Sequence, residues 1–421
     1  CIRDSLQASV PLERWLGDVE IRRGVLTGFN EAFFIDEETR ERLIKQDPKS
    51  AEIIKPLVVG DDIKRYEIEF KGRYLIFTRR GVQIENYPAI KAHLEQYKKE
   101  LMPRPEDWDE ETQGKWPGRK PGNYQWYEIQ DTVDYYKDFE KPKIVYPVIA
   151  KTNTFAFDDN GYYSNDKTFI IPVSDLFVLS SLNSSAGFLW ASNELSELRG
   201  GFLEYRAQSM VNFPVRRIFF TTPERERQAQ VAVLQRLYQE GVFPKLLEAV
   251  ETCLPKDESG NFVVFTRSIP TKQAIEKGFL TEEQAEEWAL EPDDPSGYDE
   301  QGRPLERSDV VHDLLAYLAE QMIEMHRQKR RIIERFWTDL EGVTDPETFK
   351  KLRRGKQERT LARGEACRPF VDPESHSTKT LEASLEWNEA AFREFARALA
   401  GRISNLSDLV EVYQRYAFDF K

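Results

Sequence analysis

Near residue 220 the sequence changes from short β-prone segments to long helical ones, which requires two parts of different architecture. Before this point, short runs rich in Val, Ile, Phe and Tyr alternate with turn residues, as in strands. After it, apolar residues recur at the three- and four-residue spacings of amphipathic helices. The pattern predicts an α+β fold, with an irregular mixed or antiparallel β-rich domain over residues 1–220 and an α-helical domain with a long helix over residues 221–421.

The first part is predicted to be an irregular sheet interrupted by two helices. The predicted strands lie in DVEIRRGV, EAFFID, RYLIFT, YQWYEI, KIVYPVIA, FAFDD, GYYSND and FIIPV. The helices are predicted from Glu37 to Gln46 and from Pro88 to Glu100, each ending just before a proline. Asp159-Asn160-Gly161 indicates a hairpin turn, because Asn and Gly accept positive φ. Residues 103–122 lack periodicity and are predicted to form a long loop.

The second part is predicted to be helical. Thr222 and Pro223 are expected to begin a helix over ERERQAQVAVLQRLYQ, which stops at Gly241. Ser308 is expected to cap a long helix over residues 308–341, whose apolar stripe requires a partner helix. Residues 381–403 are the candidate partner, residues 255–307 read as a polar insertion, and residues 350–368 form a local basic segment.

Composition excludes several classes of protein. The chain has 421 residues, 12% of them aromatic, so it should fold, and its net charge of -13 argues against a simple polybasic nucleic-acid or membrane binder. No apolar run approaches the roughly 18 residues of a membrane helix, and no signal-peptide pattern opens the chain, so a cytoplasmic protein is expected. Three widely spaced cysteines favour neither a disulfide framework nor a cysteine zinc site. A first residue of Cys suggests a piece of a longer chain.

Catalytic and metal-binding motifs are missing from the sequence. It contains no GxxxxGK[ST] and no GxGxxG loop, and none of its four histidines lies in HExxH or near a cysteine at ligand spacing. We therefore assign no catalytic residue and no metal ligand. An enzyme complete within this chain is disfavoured.

Polar and basic side chains recur where the predicted strands end. Such loops on a rigid sheet can present guanidinium, ammonium and amide groups to base edges in a DNA major groove. Any globular surface carries basic loops, so an ordinary polar surface is the alternative. For Lys64 and Arg65 a further alternative is pairing with Asp61 and Asp62.

Eight segments in fixed order resemble a known family. They are RRGVLTGFNEAFFID, AEIIKPLVVGDDIKRY, YLIFTRRG with NYPAIKAHLEQYKKEL, YQWYEIQDT, FEKPKIVYPVIA, GYYSNDKTFIIP, LNSSAGFLWASNEL and GGFLEYRAQSMVNFPV. In this order they resemble the target-recognition (specificity) domain of TaqI-like adenine-specific DNA methyltransferases and type IIG restriction-modification enzymes.

The resemblance implies sequence-specific recognition of double-stranded DNA. A catalytic domain outside this chain would methylate adenine N6 with S-adenosylmethionine, and Mg²⁺ would be needed if the parent protein also carries a nuclease; no cofactor is expected in this chain. Base readout is expected from Lys151, Thr152, Asn153, Thr154, Arg79 and Arg80. Contacts that position the DNA backbone are expected from Arg22, Arg23, Thr27, Asn30, Lys64, Arg65, Lys167, Arg199 and Arg206. In the long loop, Trp116, Arg119 and Lys120 are expected to order on DNA.

Two other functions stay open at this point. The chain is then a stand-alone specificity subunit, or a non-enzymatic module that docks a protein partner through its long helix. The acidic net charge and the apolar stripe favour the second of these. Helix-mediated self-association through Leu315, Leu318 and Met322 belongs to the same hypothesis.

Overall fold

The computed structural model describes residues 9–254, apart from positions 217, 219 and 221, residues 307–343, and the single positions 272 and 346. The chain divides into two compact units, residues 1–323 and residues 324–421. The predicted boundary near residue 220 falls inside the first unit and stays a prediction. The predicted polar insertion up to residue 306, the basic segment 350–368 and the candidate partner helix 381–403 lie outside the described residues.

The described secondary structure alternates short strands with helices up to residue 216 and is helical afterwards. The strands are β1 (Ser9–Pro11), β2 (Arg22–Arg23), β3 (Phe34–Asp36), β4 (Ile54–Val58), β5 (Ile63–Lys64), β6 (Glu67–Ile68), β7 (Arg73–Ile76), β8 (Lys143–Pro147), β9 (Ile149–Ala150), β10 (Ala156–Asp158), β11 (Tyr163–Ser164), β12 (Thr168–Ile171), β13 (Glu197–Leu198), β14 (Phe202–Glu204) and β15 (Pro214–Arg216). The helices are α1 (Leu12–Leu16), α2 (Asn30–Phe33), α3 (Glu37–Gln46), α4 (Pro88–Glu95), α5 (Lys98–Leu101), α6 (Glu110–Gln113), α7 (Leu176–Leu182), α8 (Ser185–Glu194), α9 (Ala207–Met210), α10 (Glu224–Gln239), α11 (Phe243–Glu251) and α12 (Ser308–Val343).

Within the described residues, the strands form two four-stranded sheets and three smaller ones. One large sheet has the order β10-β8-β12-β2 and is antiparallel, and the other has the order β11-β4-β7-β3 with β11 parallel to β4. A three-stranded sheet joins β13, β14 and β9, and the β1–β15 and β5–β6 pairs complete the set. The predicted α+β class with an irregular mixed sheet is confirmed.

The antiparallel sheet lies between two hydrophobic cores, because successive side chains of a strand point to opposite faces. All five residues of β8 are buried. Val145 packs into the core that β4, β7, α3 and α4 share, whereas Ile144 and Tyr146 pack into the core that α7 and α8 share. Ile170 and Ile171 of β12 divide in the same way. The two cores are therefore joined through one sheet.

The long helix is covered by its own chain. Val310 and Leu314 pack against Val231, Leu234 and Leu246 of α10 and α11. Further along the helix, Leu315, Ala319, Met322 and Ile323 pack against the core of α7 and α8, and Leu318 packs against the α10–α11 cluster. The predicted stripe is thus confirmed up to residue 323, where Leu315, Leu318 and Met322 are partly buried against the chain itself, and self-association through these residues stays a prediction.

Helix positions agree with the sequence better than helix caps do. The bounds of α3 and α10 match their predictions, and α12 begins at the predicted Ser308. The predicted helix over residues 88–100 is instead divided into α4 and α5. Thr222 does not cap α10, because its backbone N–H and hydroxyl both donate to the Asp309 carboxylate, at 2.8 and 2.9 Å. The hydroxyl of Ser308, predicted as a cap, has no hydrogen-bond partner among the described residues.

Three predicted β elements differ from the structure, one of them in its first half only. The segment EAFFID begins as the helix α2 and becomes extended only at Phe34. The segment YQWYEI forms turns instead of a strand. The Asp159-Asn160-Gly161 turn does not pair β10 with β11, because β10 pairs with β8 and β11 pairs with β4. In each case tertiary contacts override a local β preference.

The long loop 103–122 is organised around the buried side chain of Arg119, which is 4% exposed. Its guanidinium donates to the backbone carbonyls of Leu101, Thr27, Glu128 and Trp126 at 2.7 to 2.9 Å. The ring of Tyr124 lies 4.5 Å from the guanidinium carbon. Burial lowers the pKa of Arg119 to about 10, so the group stays protonated at neutral pH. The loop is therefore an integral part of the fold. Arg119 is buried and is not available to contact DNA, contrary to the prediction.

We expect Arg119→Met to lower the free energy of unfolding by about 3–5 kcal/mol, because four carbonyls would lose their buried donor. The neighbouring Lys120→Met is the matched control. Lys120 is exposed, so this change should stay within about 0.5 kcal/mol of the parent chain. Urea unfolding followed by circular dichroism measures both. Equal effects of the two substitutions would contradict the structural role of Arg119.

His93 predicts a pH dependence of stability. It is 8% exposed, and its Nε2 lies 3.1 Å from the Ala32 carbonyl oxygen. Burial disfavours the imidazolium and lowers the pKa of His93 below its ordinary value of 6.5. The unfolded chain therefore binds more protons, and stability should fall as pH drops below about 6.5. Relative to the parent, His93→Gln should lose less stability between pH 7 and pH 5, as measured by urea unfolding at each pH; parallel losses would contradict this account.

Candidate nucleic-acid interface

Basic side chains from separate strands meet at the turn formed by residues 165–167. Arg23 at the end of β2 donates from Nε to the Asp166 carbonyl oxygen at 3.2 Å, and its Nη2 lies 3.3 Å from the Asp166 carboxylate. Lys167 Nζ lies 3.4 Å from the same carboxylate. The Lys167 side chain is 72% exposed and that of Arg23 is 44% exposed. The two cations therefore lie beside one acid and keep much of their surface open to solvent.

The turn at Gly60 lies directly beside this turn. A Cβ placed on Gly60 would lie 3.3 Å from the Pro147 Cβ and 3.8 Å from the Lys167 carbonyl oxygen, so the two turns are in close contact. Lys64, exposed on β5, folds its Nζ back onto the Asp61 carbonyl oxygen at 2.8 Å. The alternative of pairing with Asp61 is thus realised through the backbone, not through the carboxylate.

The three-stranded sheet continues the same surface. The Val148 N–H donates to the Lys167 carbonyl oxygen at 2.9 Å, which leads directly into β9. Lys151 follows β9, and its Nζ lies 4.9 Å from the ring centre of Phe202 on the neighbouring strand β14. Arg199 is exposed in the turn between β13 and β14. We call Arg23, Lys64, Lys151, Thr152, Lys167 and Arg199 the strand-end surface.

Acidic groups moderate the charge of this surface. Asp166 pairs with two of its cations, as described above. The charges of Arg23, Arg80 and Asp166 act on the Asp131 carboxyl group. Burial raises the pKa of Asp131, and the charge of Arg23 opposes that rise. The strand-end surface is therefore not a uniform basic patch, because an acid lies beside two of its cations, Arg23 and Lys167.

The other predicted arginines are held by contacts within the protein. Arg80 donates to the carbonyl oxygens of Ile129 and Gln130, the latter at 2.6 Å. Arg22 bonds Glu20 and lies 5.2 Å from the ring centre of Tyr135. Both guanidiniums are thus engaged in contacts within the protein.

Arg79, Arg65 and Arg206 are also exposed. Arg79 lies over the ring of Tyr136 at 4.6 Å and Arg65 over Tyr66 at 5.8 Å. Arg206 pairs with Glu204 at 2.7 Å. Each of these cations already has one favourable partner.

The residues at positions 151–154, which were predicted to read bases, differ in burial. Lys151 and Thr152 are exposed, and Thr154 donates from its hydroxyl to the Thr152 carbonyl oxygen at 2.9 Å. Asn153 is only 5% exposed, and both polar atoms of its side chain are hydrogen-bonded inside the protein. The Asn153 amide is thus not available to contact a base. This contradicts its predicted role in base readout.

Thr27 and Asn30 bond each other, not a surface ligand. The buried Thr27 hydroxyl donates to Asn30 Oδ1 at 2.7 Å and accepts from the Phe29 N–H at 3.3 Å. This arrangement closes the turn before α2. Both residues shape the fold at a site that the sequence assigned to DNA positioning.

Sequence reasoning missed the residues beneath the strand-end surface. Asn183 and Tyr205 form hydrogen bonds that hold residues 153–155. Neither residue follows a predicted strand end, so no local signal identified them. Their partners lie 28 and 52 positions away, which only the folded chain brings together.

Across residues 9–254 and 307–343, no group of three or more His, Cys, Asp or Glu side chains is arranged to hold a metal ion. No helix in these same ranges combines the length and the apolarity needed to span a membrane.

Comparison with known proteins identifies one segment of the chain. Residues 55–215 match the family model of the TaqI-like C-terminal specificity domain, which confirms the resemblance over that segment. The match includes every residue of the strand-end surface except Arg23. No curated protein matches the sequence.

Two solved structures are similar to the chain at low identity. The type IIL restriction-modification enzyme MmeI in complex with DNA is 13% identical with a TM-score of 0.33, and the match covers 73% of this chain and 36% of that one. The type IIG restriction endonuclease BpuSI is 12% identical with a TM-score of 0.33, covering 75% of this chain and 32% of that one. The chain spans about a third of the length of each.

Proposed function

We propose that this chain, whose residues 55–215 form a TaqI-like C-terminal specificity domain, recognises a specific sequence in double-stranded DNA as the specificity part of a restriction-modification enzyme. The observation that carries the proposal is the strand-end surface. It brings exposed cations from separate turns together on paired strands, inside a segment that matches a specificity domain. Rigid strands with short loops are the arrangement in which side chains can be held in register with a duplex.

The two ends of the surface suit different tasks. Arg23 and Lys167 lie at the 165–167 turn, and Lys64 follows the Gly60 turn that packs beside it. Their charges would neutralise phosphates and fix the orientation of the duplex. Lys151, Thr152 and Arg199 lie around the open end of the three-stranded sheet and would reach base edges. Lys and Arg donate to the O6 and N7 acceptors of guanine, and Thr serves several bases. Arg199 moves from backbone positioning to base readout because it shares this end with Lys151.

Catalysis belongs to another part of the parent protein in this proposal. A separate domain would methylate adenine N6 with S-adenosylmethionine, and any nuclease would use Mg²⁺. The support for these finer statements is the family match, and we assign neither cofactor to the strand-end surface. The proposed setting is the cytoplasm of a prokaryote, where the DNA to be read is located.

A protein-docking function is the second candidate. Phe243 and Leu247 lie one helical turn apart on α11 and are 54% and 64% exposed. Large exposed apolar side chains at this spacing favour contact with another protein surface. Such a contact suits a catalytic domain as well as an independent partner, so it complements DNA recognition.

Lys167→Ala should weaken binding to every duplex by a similar factor, because Lys167 is assigned to a phosphate. The slope of log affinity against log salt should become about one unit shallower. Lys45→Ala is the matched control, since Lys45 is an exposed lysine on α3 outside the strand-end surface. Fluorescence anisotropy with a labelled duplex at several salt concentrations measures both variants. Identical slopes for the two variants would remove Lys167 from the interface.

Lys151→Ala should relax the sequence preference at one base pair, by about 1–3 kcal/mol of discrimination. Binding to unrelated duplexes should change little, because Lys151 is assigned to a base edge and not to a phosphate. Selection from duplexes with a randomised core, followed by sequencing, gives the preference of the parent and of the variant. A uniform loss over all sequences would assign Lys151 to the backbone instead.

A further inference from the structure

The segment that carries Lys151 and Thr152 is tied down from beneath by Asn153. The Asn153 side chain is 5% exposed. Its Nδ2 donates to the Leu182 carbonyl oxygen at the end of α7, and its Oδ1 accepts from the Tyr205 hydroxyl at 2.8 Å. Tyr205 follows β14, so one amide joins the segment to a helix end and to the neighbouring strand.

A second amide fixes the far end of the same segment. Asn183 Oδ1 accepts from the Phe155 N–H at 3.2 Å, and Asn183 Nδ2 donates to the Phe155 carbonyl oxygen at 2.9 Å. Both Asn183 and Leu182 lie at the end of α7, so the two amides anchor residues 153–155 to one rigid helix. The backbone from β9 to β10 is therefore held at both ends.

Close packing leaves these anchors little room to move. The start of α8 lies against them at Gly187, where an added Cβ would be 2.6 Å from the Ser181 carbonyl oxygen and 3.2 Å from Asn153 Nδ2. The rings of Phe155 and Tyr205 meet edge to face with their centres 5.8 Å apart. The hydrogen bond between Asn153 and Tyr205 thus lies in a packed core, directly below exposed Lys151 and Thr152.

We propose that Asn153 and Tyr205 are positioning residues for DNA sequence readout, which set base discrimination through their mutual hydrogen bond without touching DNA. This inference rests on the proposed function. Base contacts tolerate errors of only about half an ångström, whereas a phosphate attraction tolerates far more. Loosening this bond should therefore reduce discrimination between sequences and leave general DNA affinity in place.

The chain offers a closely matched pair of substitutions for the test. Tyr205→Phe removes the hydroxyl that donates to Asn153. Tyr146→Phe removes a hydroxyl from the same core that has no hydrogen-bond partner among the described residues. The Tyr146 ring also packs on Phe155, at 5.0 Å between centres. The two variants lose the same atom next to the same ring, and only one of them breaks the anchor.

The experiment uses the 421-residue chain and a library of duplexes with a randomised core. The readout is the enrichment of the preferred sequence over its single-base variants, beside the affinity for an unselected duplex. Tyr205→Phe should lower this enrichment about three- to tenfold at the base pairs that Lys151→Ala also affects, the size expected for one hydrogen bond. Affinity for the unselected duplex should stay within about twofold, and Tyr146→Phe should match the parent in both measurements.

Three further measurements distinguish a loss of positioning from general misfolding. Hydrogen exchange of the backbone amides of residues 151–155 should rise in Tyr205→Phe and not in Tyr146→Phe. Asn153→Ser, which removes both hydrogen bonds of the amide, should repeat the loss of discrimination at the same base pairs. Combined with Tyr205→Phe, Lys151→Ala should add little further loss at those base pairs, because both changes act on one contact.

The outcomes separate the two proposals. If the parent chain enriches a sequence and Tyr205→Phe enriches it equally, the positioning inference is overturned and the proposed function stands. A loss of affinity shared by all duplexes in Tyr205→Phe overturns the inference as well, since the residue would then support only the fold. If the parent chain enriches no sequence at low salt, the proposed function itself fails, and this inference fails with it.

Discussion

Burial of β8 on both faces is the constraint on which the rest of the structure depends. The neighbouring strands of the sheet and the two hydrophobic cores on its faces all pack against this strand, which is shielded from water. The strand begins with Lys143, which is fully buried and bonds Asp158 on β10, also fully buried. Burial lowers the pKa of Lys143 and raises the pKa of Asp158, while their mutual attraction opposes both shifts. The pair fixes register at a position where either charge alone would be costly.

The candidate interface is a product of that buried sheet. β8 leads through Val148 into β9, and its partner β12 follows directly from the 165–167 turn. The turns that carry Lys167 and Lys151 are therefore attached directly to strands of the buried sheet. Asn153, Asn183 and Tyr205 extend this attachment to the last exposed residues. Side chains can discriminate between bases only when the backbone beneath them is fixed, so the polar groups under the surface matter as much as those on it.

The acidic net charge of -13 is compatible with the DNA-binding role proposed for the strand-end surface, because charge acts locally. At physiological ionic strength, exposed charges more than about 8 Å apart are largely screened from each other. At the strand-end surface, Asp166 pairs with Arg23 and Lys167 and reduces their collective charge. Such a surface gains less from phosphate attraction than a polybasic patch does. It relies more on correctly placed individual contacts, which suits a specificity domain better than a general DNA binder.

The sequence alone determined the helices α3, α10 and α12, the β-rich first part, and the order of segments that resembles a specificity domain. These features depend on periodicity and on neighbouring residues, which are visible along the chain. It did not determine which polar residues face solvent: Arg119 and Asn153 look like surface groups in their loops and lie in the interior. Their partners are backbone carbonyls and side chains far away in sequence, and burial is acceptable only because those partners satisfy every polar atom. That balance between desolvation and hydrogen bonding is set by tertiary structure, which thereby decided that Lys151 and Thr152 face outward while Asn153 holds them from below.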